Sequence, residues 1–323
     1  MTFGEFIYQL PLVRSVIRFS KRFRPPGFEG VTLYEVTNFF VRQIQQGRLN
    51  QRAAAISFNF IMALPPACIF LFSLVPLFPI ADQFYYEVNS FVRDLTPNAA
   101  TRDIVENFLD DFFKRPKNSL LSLGFLTSLY FSSNAVLGII HSFNQSIHEV
   151  ESKNFFAYRW KAIRLTFVII FIFIASMLLL ITQGALFNWL LGLLNIDNAF
   201  VKWLIIILRW VVIIGLFFYS IAFIYKHAPS VEKKWKLISP GSIVACLLII
   251  LFTFLFSFWI NNFAAYSIYG SIGTILILMI FINFISLVLL IGFELNLSIK
   301  LLKRQSDKRL KEEISGAVKD LQS

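Results

Sequence analysis

Between Leu237 and Phe293 the chain carries no charged residue. Roughly 20 apolar residues suffice to cross the hydrocarbon core of a bilayer as a helix, so this stretch is too long for a single crossing. Asn261, Asn262 and the segment Tyr266–Ser271 divide it into two halves, each long enough to span. It reads as a membrane hairpin. Further uncharged runs extend from Ala53 to Ala81, Asn118 to Ile147 and Leu165 to Ile196, and another from Trp203 to Tyr225 is interrupted only by Arg209. The expected fold class is all-α: a polytopic membrane protein of six transmembrane helices, with N-terminal interfacial helices and an extracytoplasmic amphipathic helical insertion.

Composition supports this reading. The chain is 57% hydrophobic and only 15% charged, against about 25% charged in soluble domains. With 38 phenylalanines in 323 residues, its main solvent must be lipid. The formal net charge of +11 admits a nucleic-acid reading. The plainer one is that lysine and arginine gather on the cytoplasmic face, and the basic segments lack the aromatic interleaving of a nucleic-acid binder. Cys68 and Cys246 fall inside expected spans and read as small packing residues, with no disulfide framework. No short apolar core followed by a small-residue cleavage site begins the chain, so the first span is expected to act as an uncleaved insertion signal.

Residues 2–20 read as a surface helix. Phe3, Phe6, Ile7, Leu10, Val13 and Ile17 make an apolar stripe beside Arg14, Arg18, Lys21 and Arg22, a pattern suited to anionic headgroups. Pro11 should bend this helix, and Pro25-Pro26-Gly27 should end it. A second interfacial helix is expected over Leu33–Gln46, opened by a capping box at Thr32 and Glu35 and closed near Gly47. The spans are placed at about 57–80, 119–141, 164–187, 202–225, 238–260 and 272–299. Pro65 and Pro66 should kink the first span, which makes the bend either a pathway lining or a packed structural turn. Residues 82–118 hold seven acids and five bases and read as two amphipathic helices outside the bilayer core. The resulting organisation is a cytoplasmic and interfacial region over 1–52, a six-helix membrane domain over 53–300 and a cytoplasmic tail over 301–323. Beyond Lys300 the last helix is expected to continue briefly and then fray.

With both chain ends inside, 23 basic residues fall on inner segments and 6 on outer ones. The positive-inside rule therefore places both termini in the cytoplasm. Lys114, Arg115 and Lys117 dissent, because they sit on the outer side near the second span.

Two intramembrane charges are the sharpest candidates. Arg209 is either an anion-contacting or partner-binding residue facing the bundle interior, or an outer-leaflet anchor or structural pair. Glu294, near the inner end of the last span, is either a proton- or cation-coupled site or half of a structural ion pair with Arg52 or Arg48. In the second span Ser128, Tyr130, Ser132, Ser133 and Asn134 form a polar series that should face inward, for helix packing or for a substrate. A substrate pathway would thus be built from Arg209, Glu294, Pro65, Pro66, Ser132 and Asn134. Gly270, Gly292, Pro240 and Gly241 read as packing positions. No catalytic residue, metal site or cofactor is expected. His141, His148 and His227 lack metal-ligand spacing, and the acidic face Asp103, Glu106, Asp110 and Asp111 reads as solvated.

Several local patterns, in order, resemble one family. Gln51-Arg52-Ala53-Ala54-Ala55-Ile56-Ser57-Phe58, then Ala63-Leu64-Pro65-Pro66, Asn144, Pro229 and Pro240-Gly241 look like the hallmarks of the YihY/BrkB membrane proteins. So does the ending from Tyr269-Gly270-Ser271 through Gly292-Phe293-Glu294-Leu295-Asn296. The resemblance covers roughly residues 35–300. Phe293 stands where that family usually has alanine, and Phe281 near a common tryptophan. The resemblance implies a bacterial inner-membrane protein of about six spans. Some such proteins carry the label ribonuclease BN, widely regarded as a misassignment, and others virulence factor. It supplies no catalytic residues. The expected function is to move, or help to move, a small solute or lipid-like substrate. The alternatives are a non-transporting scaffold or envelope-integrity factor, and a membrane-bound hydrolase. The expected partners are a bilayer with anionic headgroups and an unidentified solute, not nucleic acid, with a homo-oligomer left open.

Overall fold

The computed structural model describes residues 11–46, 48–74, 118–147, 154–181, 199–231, 235–263 and 266–322, together with Tyr85, Tyr86, Asn89, Asn107 and Asp110. The long helices among the described residues are α1 (Pro11–Arg22), α2 (Leu33–Gln46), α3 (Leu49–Leu74), α4 (Asn118–Gln145), α5 (Phe155–Ile181), α6 (Ala199–His227), α7 (Pro240–Phe263) and α8 (Tyr266–Gln322). There is no strand among the described residues. Among the described residues, five helices contain stretches long and apolar enough to cross a membrane: Leu49–Phe70, Ser122–Gln145, Trp210–His227, Pro240–Ile260 and Ile275–Glu312. The chain is an all-α polytopic membrane protein. The other expected span, 164–187, coincides with α5 as far as Ile181, and its remainder lies outside the described residues. Most of the expected outer insertion, 82–118, lies outside them too, as do residues 1–10 of the first surface helix.

The chain divides into two compact units. The first comprises Met1–Ala54, Ile140–Ser152 and Ile169–Ser323. Within it α7 packs along α8, α6 along α7, α2 against α8 and α1 against α2. The turn between α1 and α2 is built on the residues the sequence sets aside for it. Gly27 and Gly30 adopt φ of 90° and 91°, backbone that glycine takes without steric cost. Phe28 and Val31 of this turn, with Val36 of α2, bury themselves against Ile299 of α8. The turn and the start of α2 are thereby docked onto α8. The capping box opening α2 is formed: Thr32 Oγ1 accepts from the Glu35 amide at 3.3 Å, and Glu35 Oε2 accepts from the Thr32 amide at 3.1 Å.

The second unit comprises Ala55–Ile139 and Lys153–Val168. Here α3 meets α4 closely at two glycines. A Cβ on Gly124 would touch Ile69 and the Phe70 backbone, and one on Gly138 would touch the Asn59 amide. Small residues let two helices approach where lipid offers no hydrophobic drive between them.

α3 holds Pro65 and Pro66 within its length and begins eight residues earlier than the span placed at 57–80. Proline is tolerated inside membrane helices where neighbouring groups take up the released backbone bonds. The last helix does not fray after Lys300 but runs to Gln322. Beyond Lys300 the sequence holds strong helix formers, and Asp307 and Lys311, like Lys308 and Glu312, stand four apart. Pairs at that spacing share a helix face and support helix without any tertiary cover.

Candidate functional site

Charge converges at one place in the first unit. Arg52 lies one turn into α3, and Glu294 lies on α8. The Arg52 Nη1 donates to Glu294 Oε1 at 2.9 Å, and its Nη2 donates to the Ser142 carbonyl at the end of α4. Ser146 donates its hydroxyl to the same Glu294 Oε1. Arg52 is 7% exposed and Glu294 is fully buried. Burying a lone carboxylate costs several kcal/mol, and a directly hydrogen-bonded guanidinium offsets much of that. Of the two arginines the sequence offers as partners, Arg52 therefore makes the pair. Glu294 Oε2 has no hydrogen-bond partner among the described residues.

The neighbours of Glu294 on α8 each hold a different piece of the unit. Phe293 stacks on Phe143 of α4, with centroids 3.8 Å apart and planes within 2°, and on Trp235, at 4.9 Å and 20°. Gly292 meets Gly241 of α7 so closely that a Cβ on Gly241 would land on the Gly292 carbonyl. The Tyr225 hydroxyl of α6 donates to the Leu289 carbonyl at 2.6 Å. Asn296 caps another helix. Its Oδ1 accepts from the Gly241 amide at 2.7 Å, and its Nδ2 donates to Ser239 Oγ at 2.8 Å. Ser239 is itself the N-cap of α7, with Pro240 at the first helical position, where a missing N–H is harmless. Asn144 accepts from the Ser230 amide at 2.9 Å and donates to its hydroxyl at 3.3 Å.

Two cavities accompany this unit. One of about 420 Å³ lies where α2 hands over to α3. Gln45, Arg48, Asn50 and Gln51 supply its polar lining, and Ile44, Leu49, Leu287 and Ile291 its apolar lining. The other, about 360 Å³, is an apolar groove lined by Phe217, Ile249 and Phe254, with Thr253 and Ser257. The Thr253 hydroxyl already donates to the Ile249 carbonyl at 2.8 Å.

The remaining expected site residues are dispersed. Arg209 lies in α6, just before the apolar stretch that begins at Trp210, and its side chain is outside the described residues. Pro65 is exposed and Pro66 half-buried, and neither lines either cavity. In the second unit Ser132 is half-buried, and Asn134 Oδ1 accepts from Arg159 of α5. The Arg159 guanidinium sits 4.5 Å from the ring centre of Tyr130. Ser128 and Ser133 are buried whereas Tyr130 is 56% exposed, so the polar series of α4 does not share one face. Gly292 and Gly241 meet at the α7–α8 contact. Pro240 lies instead against Gly27 of the α1–α2 turn, and Gly270 lies within the first turns of α8. Sequence reasoning passed over Ser142, Ser146, Phe143, Tyr225 and Trp235. Among the described residues no three His, Cys, Asp or Glu side chains are grouped as a metal site requires.

The tight run Gly292-Phe293-Glu294-Leu295-Asn296 and its partners on α3, α4 and α7 lie within the stretch that a family model covers. The virulence factor BrkB model matches residues 40–315. The chain belongs to the BrkB family. Among its relatives is the ribonuclease-like protein YfkH of Bacillus subtilis (strain 168), 26% identical over 258 residues, covering 79% of this chain and 92% of that protein. A UPF0761 membrane protein of Haemophilus influenzae (strain 86-028NP) is 22% identical over 264 residues, covering 79% of this chain and 91% of its own length. Another UPF0761 membrane protein, from Xanthomonas campestris pv. campestris (strain B100), is 23% identical over 275 residues and extends further, since the match covers 61% of it. No solved structure matches the chain. These relatives are named for a membrane location or a nuclease likeness, and their names give no substrate for a BrkB protein.

Proposed function

We propose that this BrkB protein moves, or helps to move, a small solute or lipid-like substrate across the bacterial inner membrane, with both chain ends in the cytoplasm. The observation that carries the reading is the buried Glu294. One of its oxygens holds Arg52 and Ser146, and the other has no partner among the described residues. Ionisable groups within membrane segments are expensive and are kept where a polar pathway or relay uses them. A cavity lined by both polar and apolar side chains, Gln51 next to Arg52 among them, lies in the same unit. The 23 basic residues on the inner segments against 6 outside support the orientation. In this reading the chain is not an enzyme, and Glu294 is a binding and coupling group.

Reconstitution into liposomes tests it. Flux of a panel of small anions, small cations and tail-labelled phospholipids is measured with the native protein and with Glu294→Gln and Arg209→Gln. Protein-dependent movement of one class, reduced by either substitution at equal protein content, supports the proposal. If nothing in the panel moves and the substitutions change only protein yield, the transport reading is lost. The scaffold reading is favoured by one feature: the tail of α8 carries Leu310 and Ile314 exposed at 58% and 57% on one face. Crosslinking from that face to a stoichiometric partner, with no flux in liposomes, would select it.

A further inference from the structure

The cavity at the α2–α3 junction has features that the Arg52–Glu294 pair does not use. Its cation is Arg48, an exposed residue whose side chain has no hydrogen-bond or ion-pair partner among the described residues. The Arg48 backbone is strained, with φ of 45°. A long side chain in the left-handed region costs on the order of 1 kcal/mol that glycine would avoid. Backbone geometry alone would therefore favour glycine at this position, and an arginine there points to use of its guanidinium. The carbonyl of Arg48 accepts from the amides of Gln51 and Arg52, at 3.1 and 3.3 Å. The strained residue thus opens α3, and the buried ion pair one turn on holds it in place.

The rest of the lining sets the ligand's chemistry. Gln45, Asn50 and Gln51 add neutral amide groups beside the guanidinium, and no carboxylate lines the cavity among the described residues. This composition suits an oxyanion. Ile44, Leu287 and Ile291 give the same cavity an apolar wall. Leu287 and Ile291 belong to the membrane-crossing stretch of α8, and Arg48 immediately precedes that of α3. A guanidinium at the end of a span, beside an apolar wall continuous with the span, is placed at headgroup depth. The volume of about 420 Å³ falls within the roughly 300–1,000 Å³ of small-ligand sites. A free phosphate would leave the apolar wall uncovered, whereas a phospholipid covers both parts.

We infer that this cavity binds the phosphodiester of an anionic phospholipid from the inner leaflet, with Arg48 as its cationic contact and Leu287 and Ile291 against the start of the acyl chains. The inference deepens the transport reading by naming a lipid class and its point of contact. Binding is read without flux, so the two stand or fall separately. Loss of flux with lipid binding intact removes the transport reading alone.

The test uses the full-length protein in neutral detergent micelles, titrated with tail-labelled phosphatidylglycerol, with phosphatidylcholine and inorganic phosphate as competitors. The native protein should bind one phosphatidylglycerol per chain, at least about tenfold more tightly than phosphatidylcholine, whose choline ammonium offsets the phosphodiester charge that Arg48 meets. Arg48→Gly should unfold at no lower temperature, because glycine relieves the φ of 45°, and should lose the preference. Arg48→Lys should keep part of it. If Arg48→Gly does not fold, Arg48→Gln serves instead and should also lose the preference. The inference is overturned if the glycine or glutamine variant binds phosphatidylglycerol as the native protein does. Equal affinity for the two lipids also overturns it. So does displacement of phosphatidylglycerol by inorganic phosphate at equal concentration, which would mark a free-phosphate site.

Discussion

A single carboxylate ties α8 to the start of α3 and to the residue after the end of α4 in the first unit. Glu294 is fully buried and held by Arg52 at 2.9 Å. Removing one member of such a pair leaves the other charge buried without compensation, at a cost of about 3–5 kcal/mol, whereas replacing both by apolar groups of similar size is often close to neutral. Arg52→Met should therefore lower the thermal midpoint in detergent sharply, and the double variant with Glu294→Met should recover most of the loss. A double variant as unstable as the sum of its singles would mean that the pair is not coupled. Gly292 makes a second prediction at this scale. Its added methyl would lie 2.5 Å from the Tyr225 hydroxyl and 2.6 Å from the Gly241 carbonyl. Overpacking of this kind costs about 1–3 kcal/mol, so Gly292→Ala should destabilise measurably, while Gly215→Ala, where nothing lies within 4 Å, should not.

Helices in this protein are closed by their neighbours as well as by themselves. α2 is capped locally, by Thr32 and Glu35. α7 is capped both by its own Ser239 and by Asn296 of α8, 55 residues from the Gly241 amide it accepts from. Thr32→Ala should cost about 1 kcal/mol and raise hydrogen exchange only in the first turn of α2. Asn296→Ala strands a buried amide as well as losing a cap, at about 1–3 kcal/mol, and should raise exchange at the start of α7 and along its contact with α8. If the two variants produce the same local pattern, the nonlocal cap is not holding α7. The long α8 also shows how composition can mislead. A mixed-charge tail reads as a fraying end, yet charges of opposite sign four residues apart sustain a helix to Gln322.

Across the whole molecule, topology rests on the distribution of basic residues. Single cysteines introduced at positions 305–320 should react with a membrane-impermeant thiol reagent only after the cells are opened. Labelling from outside in intact cells would reverse the orientation and remove the inner-leaflet placement of Arg48. The native Cys68 and Cys246 lie within spans and should be replaced first, so that the signal belongs to the introduced thiol.

Uncharged runs longer than a bilayer is thick settle by themselves that this chain crosses a membrane as helices, and Glu294 with an arginine at the start of the first span could be paired from depth alone. Those inferences need only local hydropathy and the cost of placing charge in hydrocarbon. Ser142 and Ser146 were not legible, because a serine near a helix end carries no pattern that names a distant carboxylate. The same holds for Asn296 as the cap of α7 and for the Gly241–Gly292 approach, since each depends on which helix crosses which and at what height. The tertiary structure also decided that Arg48, one of two arginines near the start of α3, faces a cavity while Arg52 is buried against Glu294. Hydropathy is a property of one segment, whereas a site is a coincidence of several, and only the packed chain brings them together.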